Sequence, residues 1–162
     1  MEYRYDSYCG LYCGACPVLV ANENGTVKER AMEWGKKPQD LRCHGCKSGV
    51  NCVFGKDCYF KECAESKKLE FCSECEDYPC EKLLEFVSDK SAHHSIVAVN
   101  LGRIREVGVV GWIEEQRSRW SCPACDAKFT WYDSTCSNCG AELYNCRHEE
   151  RDLHEEFGDG LR

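Results

Sequence analysis

No segment of this chain is apolar for long enough to cross a bilayer. The nearest candidate, LYCGACPVLVA at residues 11–21, is interrupted by two cysteines and a proline, whereas a membrane helix needs about 20 predominantly apolar residues. A basic n-region is missing too. The start, MEYRYDSYCG, is polar and acidic, so no secretory signal is expected, and Asn24-Gly25-Thr26 reads as a turn rather than a glycosylation acceptor. An excess of positive charge is equally absent. The net charge is −7, divided as −3 over residues 1–88, +1 over 89–120 and −5 over 121–162. The chain therefore lacks an overall cationic footprint, and nucleic-acid binding is not expected. Without export, reducing conditions keep thiols unpaired, so a cytoplasmic location is expected and metal thiolates are favoured over disulfides.

What the chain has in abundance is sulfur, with 16 cysteines in 162 residues. Residues 1–88 hold eleven (Cys9, Cys13, Cys16, Cys43, Cys46, Cys52, Cys58, Cys63, Cys72, Cys75 and Cys80), residues 89–120 none, and residues 121–146 the remaining five. Apolar content is 43% with cysteine included. That allows only a modest core, so crosslinks or metals are expected to supply part of the stability. The distribution predicts an α+β protein in four parts. Residues 1–88 form a small, mostly helical, metal-stabilised Cys-rich domain, 89–120 a helical connector, 121–146 a zinc ribbon and 147–162 an acidic tail.

Local patterns refine this. Pro17 suits a first helical turn, and Asn24-Gly25 marks a break after it. KDCYFKECAESKK and PCEKLLEFVSD read as short helices. In the connector, Val97, Leu101, Ile104 and Val107 recur at helical spacing, with a hinge expected around Gly108 and Gly111. His93 and His94 are expected at a helix start facing water. The acidic end, NCRHEERDLHEEFGDGLR, is expected to be solvated; Cys146, His148 and His154 within it form at most a weak metal site.

Five CxxC pairs occur: Cys13/Cys16, Cys43/Cys46, Cys72/Cys75, Cys122/Cys125 and Cys136/Cys139. Two intervening residues let a tight turn aim both sulfurs at one ion, and two such turns complete a tetrahedral site. The last two pairs, in CPACDAKFTWYDSTCSNCG, carry the clearest signal. Gly140 follows the second knuckle, where positive φ is often needed, and Asp126 holds the equivalent place in the first. Trp120 and Trp131 are expected to cover the small ribbon core. The opening CGLYCGAC has the C-x3-C-x2-C spacing of radical S-adenosylmethionine enzymes. No alternation of strands and helices follows it, however, and Ala15 stands where an aromatic residue is usual. For residues 1–88 zinc is the expected metal, several ions in the whole chain. A [4Fe–4S] cluster is the alternative, favoured by Cys16-Pro17 and by cysteines far apart in sequence, and free or redox-active thiols are the third option.

The first region resembles a prokaryotic cysteine-rich family catalogued as domain of unknown function 3795. The resemblance is carried by CGLYCGACP at 9–17, CHGC at 43–46, CYFKECA at 58–64 and FCSECEDYPCEKL at 71–83. It implies metal binding in a cytoplasmic bacterial or archaeal protein and supplies no catalytic residue. Three functional classes follow: an adaptor whose zinc sites build a binding surface for a protein partner, an iron–sulfur or thiol redox protein, and an enzyme using zinc-activated water. The all-sulfur ligand set argues against the last, because sites with four cysteine ligands are usually closed and structural.

Overall fold

A proline opens the first helix. In the computed structural model, which describes residues 2–158, α1 runs Pro17–Glu23 and buries Val18, Leu19 and Ala21. Pro17 loses nothing at this position, since first-turn N–H groups have no intrahelical acceptor. The chain breaks at Asn24-Gly25 and resumes as α2 (Val27–Glu33). After a 3-10 turn at Pro38–Leu41, residues 42–58 form only turns and bends. Then come α3 (Tyr59–Lys67), a 3-10 turn at Cys72–Glu74, α4 (Glu81–Val87), a 3-10 turn at Ala92–His94, α5 (Val97–Arg119) and α6 (Cys146–Phe157). About half of the chain is helical.

The strand component of the expected α+β class shrinks almost to nothing. Among the described residues it consists of two isolated antiparallel bridges, Ser121↔Lys128 and Thr135↔Glu142. Each hairpin in this region is a turn closed on a cysteine carbonyl, followed by a single bridged pair. The acidic end also differs from expectation. Asn145 caps α6, its side chain accepting from the Arg147 N–H at 3.0 Å, while the Asn145 N–H donates to His148 Nδ1 at 3.1 Å. This reciprocal cap and the buried Cys146 dock the helix beside the Ala92–His94 turn; the part of the expected tail beyond residue 158 lies outside the described residues.

One large apolar interior joins the two ends of the chain. Tyr12, Phe60, Leu83 and Val87 pack there with Leu101, Trp112, Trp120, Phe129 and Leu143. Helix α5 leaves helical geometry at Gly108 (φ 75°, ψ 165°). Val107, just before the break, does not join the expected apolar stripe and is 36% exposed, while Trp112, beyond the break, is fully buried. Its indole Nε1 donates to Asn100 Oδ1 at 3.4 Å, and Asn100 Nδ2 donates to the Gly10 carbonyl at 2.9 Å. A second, smaller interior holds only Val18, Ala31, Leu41, Cys43 and Cys52, with Cys16 and Val27 against it.

A buried ion pair anchors the N-terminal segment. Lys47 Nζ lies 2.9 Å from Asp6 Oδ2, both side chains only 5% exposed, and 3.8 Å from the centre of the Phe71 ring. Burial by itself would raise the Asp6 carboxyl. The hydrogen bond and charge of Lys47, joined by Arg4, outweigh it and hold the carboxyl below its ordinary value. Such a group contributes stability that is present above its unfolded value, about 3.9, and is lost as pH falls through the folded value. Asp6→Asn is expected to cost about 3 kcal/mol at neutral pH, because the buried Lys47 ammonium keeps only the exposed Glu70 carboxylate, 3.4 Å away. It should also flatten the decline in stability between about pH 5 and pH 2. Urea midpoints measured across that range check both effects.

Candidate metal centre

Two matching turns build the C-terminal cluster. In the first, the Asp126 N–H donates to the Cys122 carbonyl at 2.8 Å and the Cys122 N–H to the Ala127 carbonyl at 2.9 Å. In the second, the Gly140 N–H donates to Cys136 at 2.9 Å and the Cys136 N–H to Ala141 at 2.8 Å. Closing each turn needs a left-handed residue, and Asp126 (φ 61°) and Gly140 (φ 78°) supply it. The turns face each other. Cys122 Sγ lies 3.6 Å from Cys139 Sγ, and Cys125 Sγ 3.6 Å from Cys136 Sγ. All four sulfurs fall within 4.8 Å of one another, the one such group of three or more His, Cys, Asp or Glu donors among the described residues. Four sulfurs placed tetrahedrally about 2.3 Å from one ion would stand about 3.8 Å apart. The arrangement therefore fits a metal ion with little movement. The Cys125 thiol falls to about 6 because the Asn138 side chain, the Ala127 N–H and the Cys139 thiol all direct hydrogen bonds to its sulfur.

The module is seated on the opening motif. The Trp131 N–H donates to the Ala15 carbonyl at 3.0 Å, inside CGLYCGAC, and the Cys146 N–H donates to the Trp131 carbonyl at 2.9 Å. Lys128 Nζ reaches Glu23 on α1 at 3.1 Å. Trp120 is buried against Phe129. Trp131 stacks instead on His93, with ring centroids 4.1 Å apart, and His94 stacks on Phe86 at 3.7 Å. The two histidines thus do not face water. Burial holds His93 neutral, its pKa lowered to about 3. Cys146 and His148 serve packing and capping, and with His154 they form no compact donor set.

All sixteen cysteines are unpaired. The eleven N-terminal ones fall into neighbourhoods set by the two interiors. Cys16, Cys43 and Cys52 belong to the smaller; Cys9, Cys58, Cys72 and Cys80 belong to the larger. Cys13 and Cys46 touch each other through the Cys46 N–H, which donates to Cys13, and Cys63 lies in the neighbourhood of Cys72. Burial pushes Cys46 and Cys72 up to about 12 and Cys16 to about 11, because apolar surroundings disfavour the charged thiolate. Cys43 moves the other way, to about 6, because the Cys52 thiol donates to it. Cys75 sits apart, with Lys67 Nζ donating to its sulfur at 3.1 Å.

Two residues outside the cysteine pattern hold the CHGC segment in place. Asn22 on α1 donates to the Leu41 carbonyl at 2.8 Å and accepts from the Cys43 N–H at 3.1 Å. An asparagine in a helix just before an Asn-Gly break is the signal that marks it. Gly45 is the second. It has φ 108°, and a Cβ there would lie 1.9 Å from the Arg4 carbonyl oxygen, where the Arg4 N–H already donates to His44. Gly45→Ala is expected to cost about 3 kcal/mol through strain and forced backbone separation. Gly49→Ala, at φ 77° with open space around it, should cost only about 1 kcal/mol. Paired thermal melts separate the steric contribution from the conformational one.

No curated protein and no solved structure matches this chain. No helix among the described residues is long and apolar enough to cross a membrane. A family model described as Protein of unknown function (DUF3795) matches residues 5–85, the segment that contains the CGLYCGACP, CHGC, CYFKECA and FCSECEDYPCEKL motifs. Half of the chain is covered, the four motifs fall in order within the match, and the chain is a member of the DUF3795 family.

Proposed function

We propose that the protein is a cytoplasmic zinc protein whose C-terminal cluster is a structural zinc ribbon, and that it acts as an interaction module for a protein partner rather than as an enzyme. One observation carries this reading: four sulfurs from two matching turns stand within 4.8 Å of one another, close to the spacing of a tetrahedral thiolate cage. Such a set closes the coordination sphere and leaves no position for a reactive water. The cysteines of residues 9–80 would supply ligands for further ions. Unpaired cysteines throughout the chain suit a reducing compartment. Exposed Trp34, its ring edge-on to exposed Phe54 at 6.1 Å, offers apolar surface of the kind protein partners use.

The test is metal content. Protein purified anaerobically from cells supplied with both iron and zinc should be colourless and contain zinc, and Cys125→Ser should contain less. A brown protein carrying iron and acid-labile sulfide would instead establish the iron–sulfur alternative.

A further inference from the structure

The smaller interior is too slight to hold what surrounds it. Its apolar content is Val18, Ala31 and Leu41, with Val27 at its margin. Against it lie α1 and α2, seven residues each, well short of the roughly 12–15 at which a helix becomes even marginally stable alone. Over it runs the stretch 42–58, without helix or strand. Irregular segments of that length inside a compact domain are uncommon and generally have a function. This one is shaped by a few hydrogen bonds, among them His44 N–H to Val50 O at 2.9 Å and Asn51 Nδ2 to Gly45 O at 2.9 Å. Something stronger than three aliphatic side chains is needed to keep it in place.

Sulfur is what this interior holds in quantity. Cys43 and Cys52 are 9% and 8% exposed, and Cys16 packs against them from the start of α1. The Cys52 thiol donates to the Cys43 sulfur. The backbone around Cys43 and Cys52 repeats the C-terminal cluster. There, Cys125 and Cys139 each accept an N–H from the residue two positions on, Ala127 and Ala141. Here, Cys43 accepts from the Gly45 N–H at 3.5 Å, and the Phe54 N–H is directed at the Cys52 sulfur. A neutral thiol is a weak acceptor; N–H groups aimed in this way suit thiolates, which a soft cation selects.

We propose that Cys16, Cys43 and Cys52 together bind one thiophilic divalent ion, zinc in the cell, at a centre separate from the Cys122–Cys139 cluster. The inference rests on the reading of the protein as a zinc protein and assigns it a second, specific place. The three sulfurs share one interior but do not yet form a compact donor set, so binding requires their side chains to rotate towards one ion. The ion would tie the start of α1 to both ends of the loop that contains CHGC, and so complete an interior that apolar burial leaves unfinished.

Zinc per chain, measured on reduced, zinc-loaded and desalted full-length protein, tests the assignment. Cys43→Ser and Cys52→Ser should each lose one ion, and the double variant should lose no more than either alone. Cys136→Ser should lose a different ion, so that Cys52→Ser combined with Cys136→Ser loses two. Because a variant could simply misfold, a second measurement uses the wild type. Alkylation followed by peptide mass mapping, across a chelator titration, should show Cys16, Cys43 and Cys52 becoming reactive together. A full zinc complement in Cys52→Ser, a doubled loss in the Cys43/Cys52 variant, or unlinked alkylation of the three thiols would overturn the proposal. So would iron and sulfide bound through them. Wild type holding a single ion that only Cys136→Ser releases would overturn it and leave the zinc-ribbon reading intact, whereas zinc-free wild type would overturn both.

Discussion

Stripping the proposed zinc from Cys122, Cys125, Cys136 and Cys139 at neutral pH is expected to unfold the segment between Trp120 and Cys146. Within that segment regular pairing is limited to two isolated bridges. Its own apolar contribution is Phe129 and Leu143, with Trp131 only partly buried. Ordering each residue costs about 1–2 kcal/mol of backbone entropy, which two side chains and a few turn hydrogen bonds do not offset. A structural zinc site contributes on the order of 10 kcal/mol in small domains, enough to reverse the balance. Chelator titrations followed by near-ultraviolet circular dichroism of Trp120 and Trp131 should show a cooperative loss that added zinc restores. Cys136→Ser should give the unfolded signal without chelator. Because metal thiolates must shed protons to form, the midpoint should move to lower chelator concentrations as the solution is acidified. Dichroism and amide protection unchanged after complete metal removal would contradict the whole account of this module.

Trp112→Ala is expected to cost about 4 kcal/mol, the middle of the range for truncating a buried aromatic. The indole is fully buried, and it meets the Tyr12 ring edge-on at 5.9 Å. Its Nε1 is the donor to Asn100 Oδ1. Removing it opens a cavity beneath the opening motif and leaves a buried carbonyl without its partner. Trp112→Phe keeps most of the volume and loses only the hydrogen bond, so a cost of about 1–3 kcal/mol is expected. Denaturant unfolding with unchanged slopes measures both. If alanine costs less than phenylalanine, the wedge between α5 and the N-terminal segment is not what holds them together.

How much of this was legible in the linear chain depended on the range of the interaction responsible. Features decided within a few residues were readable: Pro17 at a helix start, the Asn24-Gly25 break, the hinge at Gly108, and the left-handed places at Asp126 and Gly140. The four sulfurs of the C-terminal cluster were readable for the same reason, since each turn presents its own pair. Features decided by distant partners were not. His93 and His94 look like solvent-facing residues until Trp131 and Phe86 arrive to stack on them. The acidic end carries a reciprocal cap, but nothing in its own composition reveals the surface that α6 covers. The grouping of the N-terminal cysteines depends on which interior each turn faces, and spacing along the chain does not encode that. Trp112 follows the same logic, because the break at Gly108 redirects the helix after it and brings the indole into the interior.

The interior that joins both ends of the chain sets a limit on dissection. Tyr12, Leu83 and Val87 lie within or next to the family segment, yet Leu101, Trp112, Trp120, Phe129 and Leu143 come from beyond it. A fragment cut to residues 5–85 is expected to bare the Tyr12 and Leu83 surfaces that those residues cover and to self-associate. Grafting the familiar half onto another partner is therefore expected to require carrying the later helices along.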